Sequence, residues 1–313
     1  MRKILYGLSI IVAVTAVVVG ATTAFYNDEE TSSGNVLAAG SIDLGIDNTS
    51  YYNGVFNDGT SWALDWDLDV GSLDELGDPQ LLPRLFFNFD DLKPGDWGED
   101  TISLHVDDND SWLCADVTLT SNDDNGINEP EGDAGDTSDG QWAGELAQHL
   151  NWYWWADDGD NVFEECAINN DNGGGQVDPN CVDEELIHEN VSFPQASQPT
   201  TFTVALADST QNIWGDQIDN NPGPLPANSD TRYIGKAWCF GETTFQAHLQ
   251  DGLGATDDDT STTVDENNGP DVRGVDCNGS NETNITQTDS MGLDITFRAE
   301  QSRHLPGFTC GAR

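Results

Sequence analysis

The sequence predicts an all-β protein, an antiparallel β-sandwich with long acidic loops and one short helix. Three observations carry this. Apolar residues alternate with polar ones along several short runs, the signature of strands with one buried face. Those runs are not interleaved with helical patterns, so a parallel α/β sheet is excluded. The runs are separated by stretches rich in Asp, Asn, Gly, Ser and Thr, which read as loops.

Each element follows from local pattern. Residues 36–46 are strand-like, with Ile42, Leu44 and Ile46 on one face and Asp43 and Asp47 on the other. Residues 64–70 alternate strictly and predict a half-buried strand inside an acidic, aromatic insertion. Pro94-Gly95 marks a turn. Residues 101–106 and 112–120 read as strands, joined as a hairpin across Asp107-Asp108-Asn109-Asp110. Residues 140–150 are the one helical candidate, because Trp142, Leu146, His149 and Leu150 recur at helical spacing. The run Trp152-Tyr153-Trp154-Trp155 predicts a buried strand. It is also conceivable as a stacking platform for carbohydrate, but an exposed run of that kind invites aggregation, so core is preferred. Residues 157–183 read as loop. Strands follow at 201–207, with Phe202, Val204 and Leu206 inward, and at 232–240. Residues 250–284 are polar and mostly loop. Residues 289–300 close the pattern, with Met291, Leu293, Ile295 and Phe297 alternating against polar neighbours.

Charge limits function. The chain of 313 residues carries 57 Asp+Glu against 10 Lys+Arg, a net charge of −47. Such a surface repels phosphate backbones and anionic lipid heads, which excludes nucleic-acid partners and disfavours membrane docking. The 10 Trp, 12 Phe and 6 Tyr still supply a core, so disorder throughout is excluded as well.

The first 24 residues have the design of a secretory signal: basic Arg2 and Lys3, an apolar stretch, then Ala21-Thr22-Thr23-Ala24. Cleavage is expected between Ala24 and Phe25. The mature chain, 25–313, is then one sandwich domain with insertions, secreted or at the cell surface. Only an uncleaved signal segment would contact membrane. Six cysteines suit an oxidising compartment. Cys166 and Cys181 enclose an Asn/Gly-rich loop and form the easiest local pair. Cys114, Cys239, Cys277 and Cys310 are too far apart in sequence to assign. Zinc is disfavoured, because no C-x-x-C pair occurs and the histidines lie apart from the cysteines.

Nothing in the sequence marks a catalytic centre. There is no Gly-x-Ser-x-Gly, no His-Glu-x-x-His and no phosphate-binding Gly-rich loop, and no organic cofactor is implied. Calcium is the ligand the composition suits best, since it takes six to eight oxygens from Asp and Asn side chains on tight turns. Two loops have that character. One holds Asn122 and Asp124. The other, the preferred one, holds Asp157, Asp158, Asp160 and Glu164 behind the aromatic run. Neither fits the full EF-hand spacing, and a solvated acidic loop is the plainer alternative.

The processing site adds a resemblance. Ala24-Phe25-Tyr26-Asn27-Asp28 leads through a polar stretch to Ala38-Ala39-Gly40-Ser41-Ile42-Asp43-Leu44. Downstream lies Leu92-Lys93-Pro94-Gly95-Asp96. Together these are similar to the TasA/camelysin family of exported fibre and surface proteins, over the signal and residues 25–100. The resemblance implies a jelly-roll-like β-sandwich. It also implies a structural, non-enzymatic role: a subunit of extracellular fibres or biofilm matrix, assembled with itself or a related fibre subunit. In such fibres the N-terminal segment, here about 25–46, acts as a donor strand for a neighbour's sheet. The alternatives are a monomeric, calcium-stabilised glycan-binding module at the cell surface and a secreted hydrolase.

Overall fold

The computed structural model describes residues 27–31, 42–66, 84–165, 168–169, 176–177, 184, 186–193, 196–218, 220–228, 231–245, 248–249 and 274–311. In chain order the first strands are β1 (Asn27–Thr31), β2 (Asp43–Tyr52), β3 (Val55–Phe56), β4 (Trp62–Asp65), β5 (Trp97–Asp107) and β6 (Ser111–Asp123). Two short helices follow, α1 (Glu129–Ala134) and α2 (Leu146–His149). Then come β7 (Leu150–Asp157), β8 (Glu164–Glu165), β9 (Ile168–Asn169), β10 (Gln176–Val177), β11 (Leu186–Val191) and β12 (Thr200–Ala207). The last are β13 (Gln217–Ile218), β14 (Asn221–Pro222), β15 (Arg232–Phe240), β16 (Glu242–Phe245), β17 (His248–Leu249), β18 (Val275–Asn278) and β19 (Ser290–Gln301).

Two antiparallel sheets form a sandwich, as the alternating pattern predicts. The smaller has the order β1-β19-β6-β12 and the larger β11-β7-β15-β5-β2-β3, with β4 also paired to β2. The core lies between them. Leu44, Ile46, Ile102, Leu104, Trp154, Ile234 and Trp238 come from the larger sheet; Ala115, Val117, Leu119, Leu206, Ile295 and Phe297 come from the smaller. These are alternate residues of their strands, so one face of each sheet is apolar. The aromatic run on β7 is core: Trp152, Tyr153, Trp154 and Trp155 are all buried, which removes the stacking-platform reading. Tyr153 and Trp155 lie on the other face of the larger sheet, where Phe163 and Ala237 pack with them in a second small cluster.

Glycines shape this layer. Gly235 pairs with Trp155 and Gly98 with Trp238 across adjacent strands. A Cβ at either position would collide with the tryptophan ring, so each ring lies directly over glycine backbone.

The core also holds an ion pair. Lys236 on β15 is fully buried, and its Nζ is 2.7 Å from Asp100 Oδ2. It sits 5.1 Å from the Phe87 ring centre and 5.6 Å from that of Trp152. Asn48 Nδ2 donates to Asp100 Oδ1 at 3.3 Å. Burial pushes the Asp100 carboxyl above its ordinary range, and the Lys236 charge opposes that.

Several expectations need correction. Residues 101–106 and 112–120 are strands but not a hairpin. β5 belongs to the larger sheet and β6 to the smaller, so the turn at 108–110 carries the chain across the sandwich. Asp108 enables this with a left-handed φ of 67°. The helix expected over 140–150 shrinks to the four residues of α2. Gly140 and Trp142 have φ of 106° and 61°, which no right-handed helix accommodates. The strand expected at 64–70 is β4, ending at Asp65, and 67–70 lie outside the described residues. Among the described residues there are two short α-helices rather than one. The added helix, α1, carries a capping box: Asn128 Oδ1 accepts from Glu131 N at 3.0 Å, and Glu131 Oε2 accepts from Asn128 N at 2.7 Å.

Among the described residues two disulfides fasten the sandwich, Cys114–Cys310 with S–S 2.07 Å and Cys239–Cys277 with S–S 2.03 Å. The first ties the chain's end to β6. Such bridges mark an oxidising, extracellular-type environment. Cys166 and Cys181, like the Ala24–Phe25 junction, lie outside the described residues. Among the described residues no helix is long and apolar enough to cross a membrane.

Candidate metal centres

Two acidic clusters form where loops leave the sandwich, one at each sequence-predicted calcium loop. The first lies at the end of β7. Asp157, Asp160 and Glu184 are all buried, and each offers an oxygen within 4.8 Å of the others. The loop after β7 turns back on itself because Asp157 Oδ2 accepts from Gly159 N at 3.1 Å and Asn161 N at 3.2 Å. Gly159 and Asn161 supply the left-handed φ values of 116° and 63° that the turn requires. Asp157 Oδ1 accepts from Trp155 Nε1 at 2.9 Å.

Glu184 was not among the expected ligands. It closes the loop from outside: Oε1 accepts from Asp158 N at 3.0 Å and Oε2 from Glu164 N at 2.8 Å. Asp158 and Glu164 thus meet this cluster through their backbones, and their carboxylates are not members of the triad. Burial, with the Asp157 charge behind it, pushes the Glu184 carboxyl up to about 11. Burial and Asp160 raise Asp157 well above its ordinary range. Both oxygens of Asp157 and of Glu184 are committed to N–H donors.

The second cluster lies at the end of β6. Asp124, Glu131 and Asp136 converge in one triad, and Asp124, Glu145 and Asp289 in another, each with ligand atoms within 4.8 Å of one another. Asp124 is common to both. Of the two residues expected here, Asp124 is therefore central. Asn122 plays a different part: its Nδ2 donates to Gly144 O and its Oδ1 accepts from Ala147 N at 3.4 Å, which fixes the segment carrying Glu145. Glu131, Asp136, Glu145 and Asp289 were not foreseen. Three come from the insertion between β6 and β7, and the fourth from the turn entering β19.

His105 has two polar neighbours. Its Nε2 is 3.1 Å from Asp47 Oδ2, and its Nδ1 is 3.4 Å from Thr231 Oγ1.

The fold and these sites define a disulfide-bonded, acidic β-sandwich with carboxylate clusters in its loops. No family model, curated protein or solved structure matches the chain.

Proposed function

We propose that the protein is a secreted structural subunit that assembles by exchanging its N-terminal strand between copies. The observation that carries this reading is the place of β1. It is an edge strand near the start of the chain, held by an antiparallel ladder to β19 from Asn27↔Glu300 to Thr31↔Thr296. An edge strand at a chain end can be supplied by any copy of the same sequence, because the backbone ladder is identical. The ten residues 32–41 join it to the sandwich, and ten residues span at most about 33 Å.

The donor element is shorter than the 25–46 expected from the sequence. Ile42, Leu44 and Ile46 fill the chain's own core, and β2 lies inside the larger sheet between β5 and β3. The Leu92–Asp96 element behaves as the turn expected before a strand. Gly95 has φ 92°, Asp96 N donates to Lys93 O at 2.8 Å, and Tyr52 Oη donates to Asp96 Oδ2 at 2.6 Å.

The test is deletion of residues 25–35 from the mature chain. Sedimentation and negative-stain microscopy should find fibres from the full mature chain and monomers from the truncated one. Unimpaired fibres after deletion would reject the role of β1.

A second reading, a monomeric glycan-binding module, is favoured by a cleft of about 800 Å³ whose lining includes Phe87, Asn88, Phe89, Asp90 and Lys93. Its volume suits an organic ligand. Oligosaccharide binding by a chain that stays monomeric would favour it over the fibre subunit.

A further inference from the structure

We infer that calcium binds between Asp124, Asp136, Glu145 and Asp289, with Glu131 beside them, and staples the β6–β7 insertion to the turn entering β19. This rests on the carboxylates alone and is independent of the fibre reading.

Four of the groups, Asp124, Asp136, Glu145 and Asp289, share one pattern of use. Asp124 Oδ1 accepts from Gly126 N at 2.8 Å, and its Oδ2 has no partner. Asp136 Oδ1 accepts from Ser138 N at 2.9 Å and Ser138 Oγ at 2.8 Å, and its Oδ2 has no partner. Glu145 Oε1 accepts from Ser138 Oγ at 2.8 Å, and its Oε2 has none. Asp289 Oδ2 accepts from Glu145 N at 2.6 Å and Leu146 N at 3.0 Å, and its Oδ1 has none. In each, one oxygen is spent fixing the loop and the other is buried without a donor.

Asp124 is 2% exposed and Asp136 6%, so water does not solvate these two carboxylates freely. A buried acceptor left without a donor is costly, and a buried unpaired charge more so. Here several are gathered within a few ångströms. Among the described residues none of the five forms an ion pair with Lys, Arg or His; Arg84, Lys93, Arg232, Lys236 and Arg298 pair with other carboxylates. Glu131 uses Oε2 on its own helix cap and takes a 3.1 Å hydrogen bond from Thr288 Oγ1 on Oε1, which links α1 to the same turn.

The donor set selects the ion. All five groups offer hard carboxylate oxygen, and none offers the nitrogen or sulfur that zinc prefers. Calcium accepts six to eight oxygens in flexible geometry, whereas magnesium demands a near-octahedral shell and keeps its water. A crowded, irregular carboxylate cluster therefore favours calcium. The other acidic cluster differs, since Asp157 and Glu184 spend both oxygens on N–H donors.

The experiment titrates calcium into the chelator-treated mature chain, followed by calorimetry and thermal unfolding. Magnesium and sodium chloride at equal ionic strength are the controls. Asp124→Asn and Asp289→Asn keep the oxygen that braces the loop and replace the bare one by an amide. Each should weaken calcium binding by more than the roughly 10–100-fold typical of losing an outer-shell partner. Each should also match or exceed the wild type's melting temperature in chelator, because repulsion is relieved. Asp160→Asn in the other cluster should leave calcium binding unchanged. A calcium shift no larger than that of sodium chloride would overturn the site, as would full calcium binding by both variants.

Discussion

At the scale of the residue, this protein gathers carboxylates against their mutual repulsion and assigns them different tasks. Glu184 is the clearest case. Its oxygens receive backbone N–H groups from both sides of the loop after β7, while burial and Asp157 resist its ionisation. Its carboxyl is raised from about 4.5 to about 11, so the folded state holds a proton that the unfolded chain releases. The stability this contributes is complete below about pH 4.5 and is lost as pH rises toward about 11. In chelator, the melting temperature should therefore fall steadily from about pH 5 to about pH 9, a range in which ordinary exposed carboxylates are already ionised. Glu184→Gln, which cannot ionise, should flatten that slope. A slope unchanged in the variant would assign the pH dependence to other groups.

At the scale of the element, caps and turns decide what hydrophobic pattern alone does not. Helix α1 has only six residues and exists through its capping box and Pro130 in its first turn. Asn128→Ala should cost about 1 kcal/mol, the usual worth of such a cap, read as a lower denaturation midpoint. The loss should be larger in calcium than in chelator, because α1 carries Glu131 and precedes Asp136. This helix was legible: Asn128 and Glu131 stand at capping-box spacing. The acidic residues around it carry the composition of a calcium loop as well. The strands were legible too, since Val117, Leu119, Leu293 and Ile295 alternate plainly. Their partners were not. The turn at 108–110 carries the same local signals whether the chain returns within one sheet or crosses to the other, and only packing of the two layers decides. The sites divide the same way. Asp124 and Asp157 lie in loops whose composition announces them. Glu184, Glu145 and Asp289 reach those loops from distant parts of the sequence, and nothing local separates them from the other acids.

At the scale of the whole molecule, two opposing features meet. A net charge of −47 repels other copies, while the smaller sheet ends in a strand that any copy can supply. Specific ladder formation must outweigh repulsion, and salt should strengthen assembly by screening it. The disulfides bear on the proposed exchange. Cys114–Cys310 anchors β6 to the chain's end, and β19, the partner of β1, lies against β6 along its length. The acceptor strand is thus fastened within its sheet, while β1 is held by its ladder to β19.

The most direct measurement asks whose β1 lies on a given β19. Thr31 and Thr296 face each other in the ladder, and cross-strand partners lie about 4.5–5.5 Å apart at Cα, within disulfide range. Thr31→Cys with Thr296→Cys, oxidised under assembly conditions and run on a denaturing gel without reductant, should give a ladder of covalent dimers, trimers and longer chains. Bonded monomers alone, from samples in which microscopy shows fibres, would mean that each β1 stays on its own β19, and would contradict assembly by strand exchange.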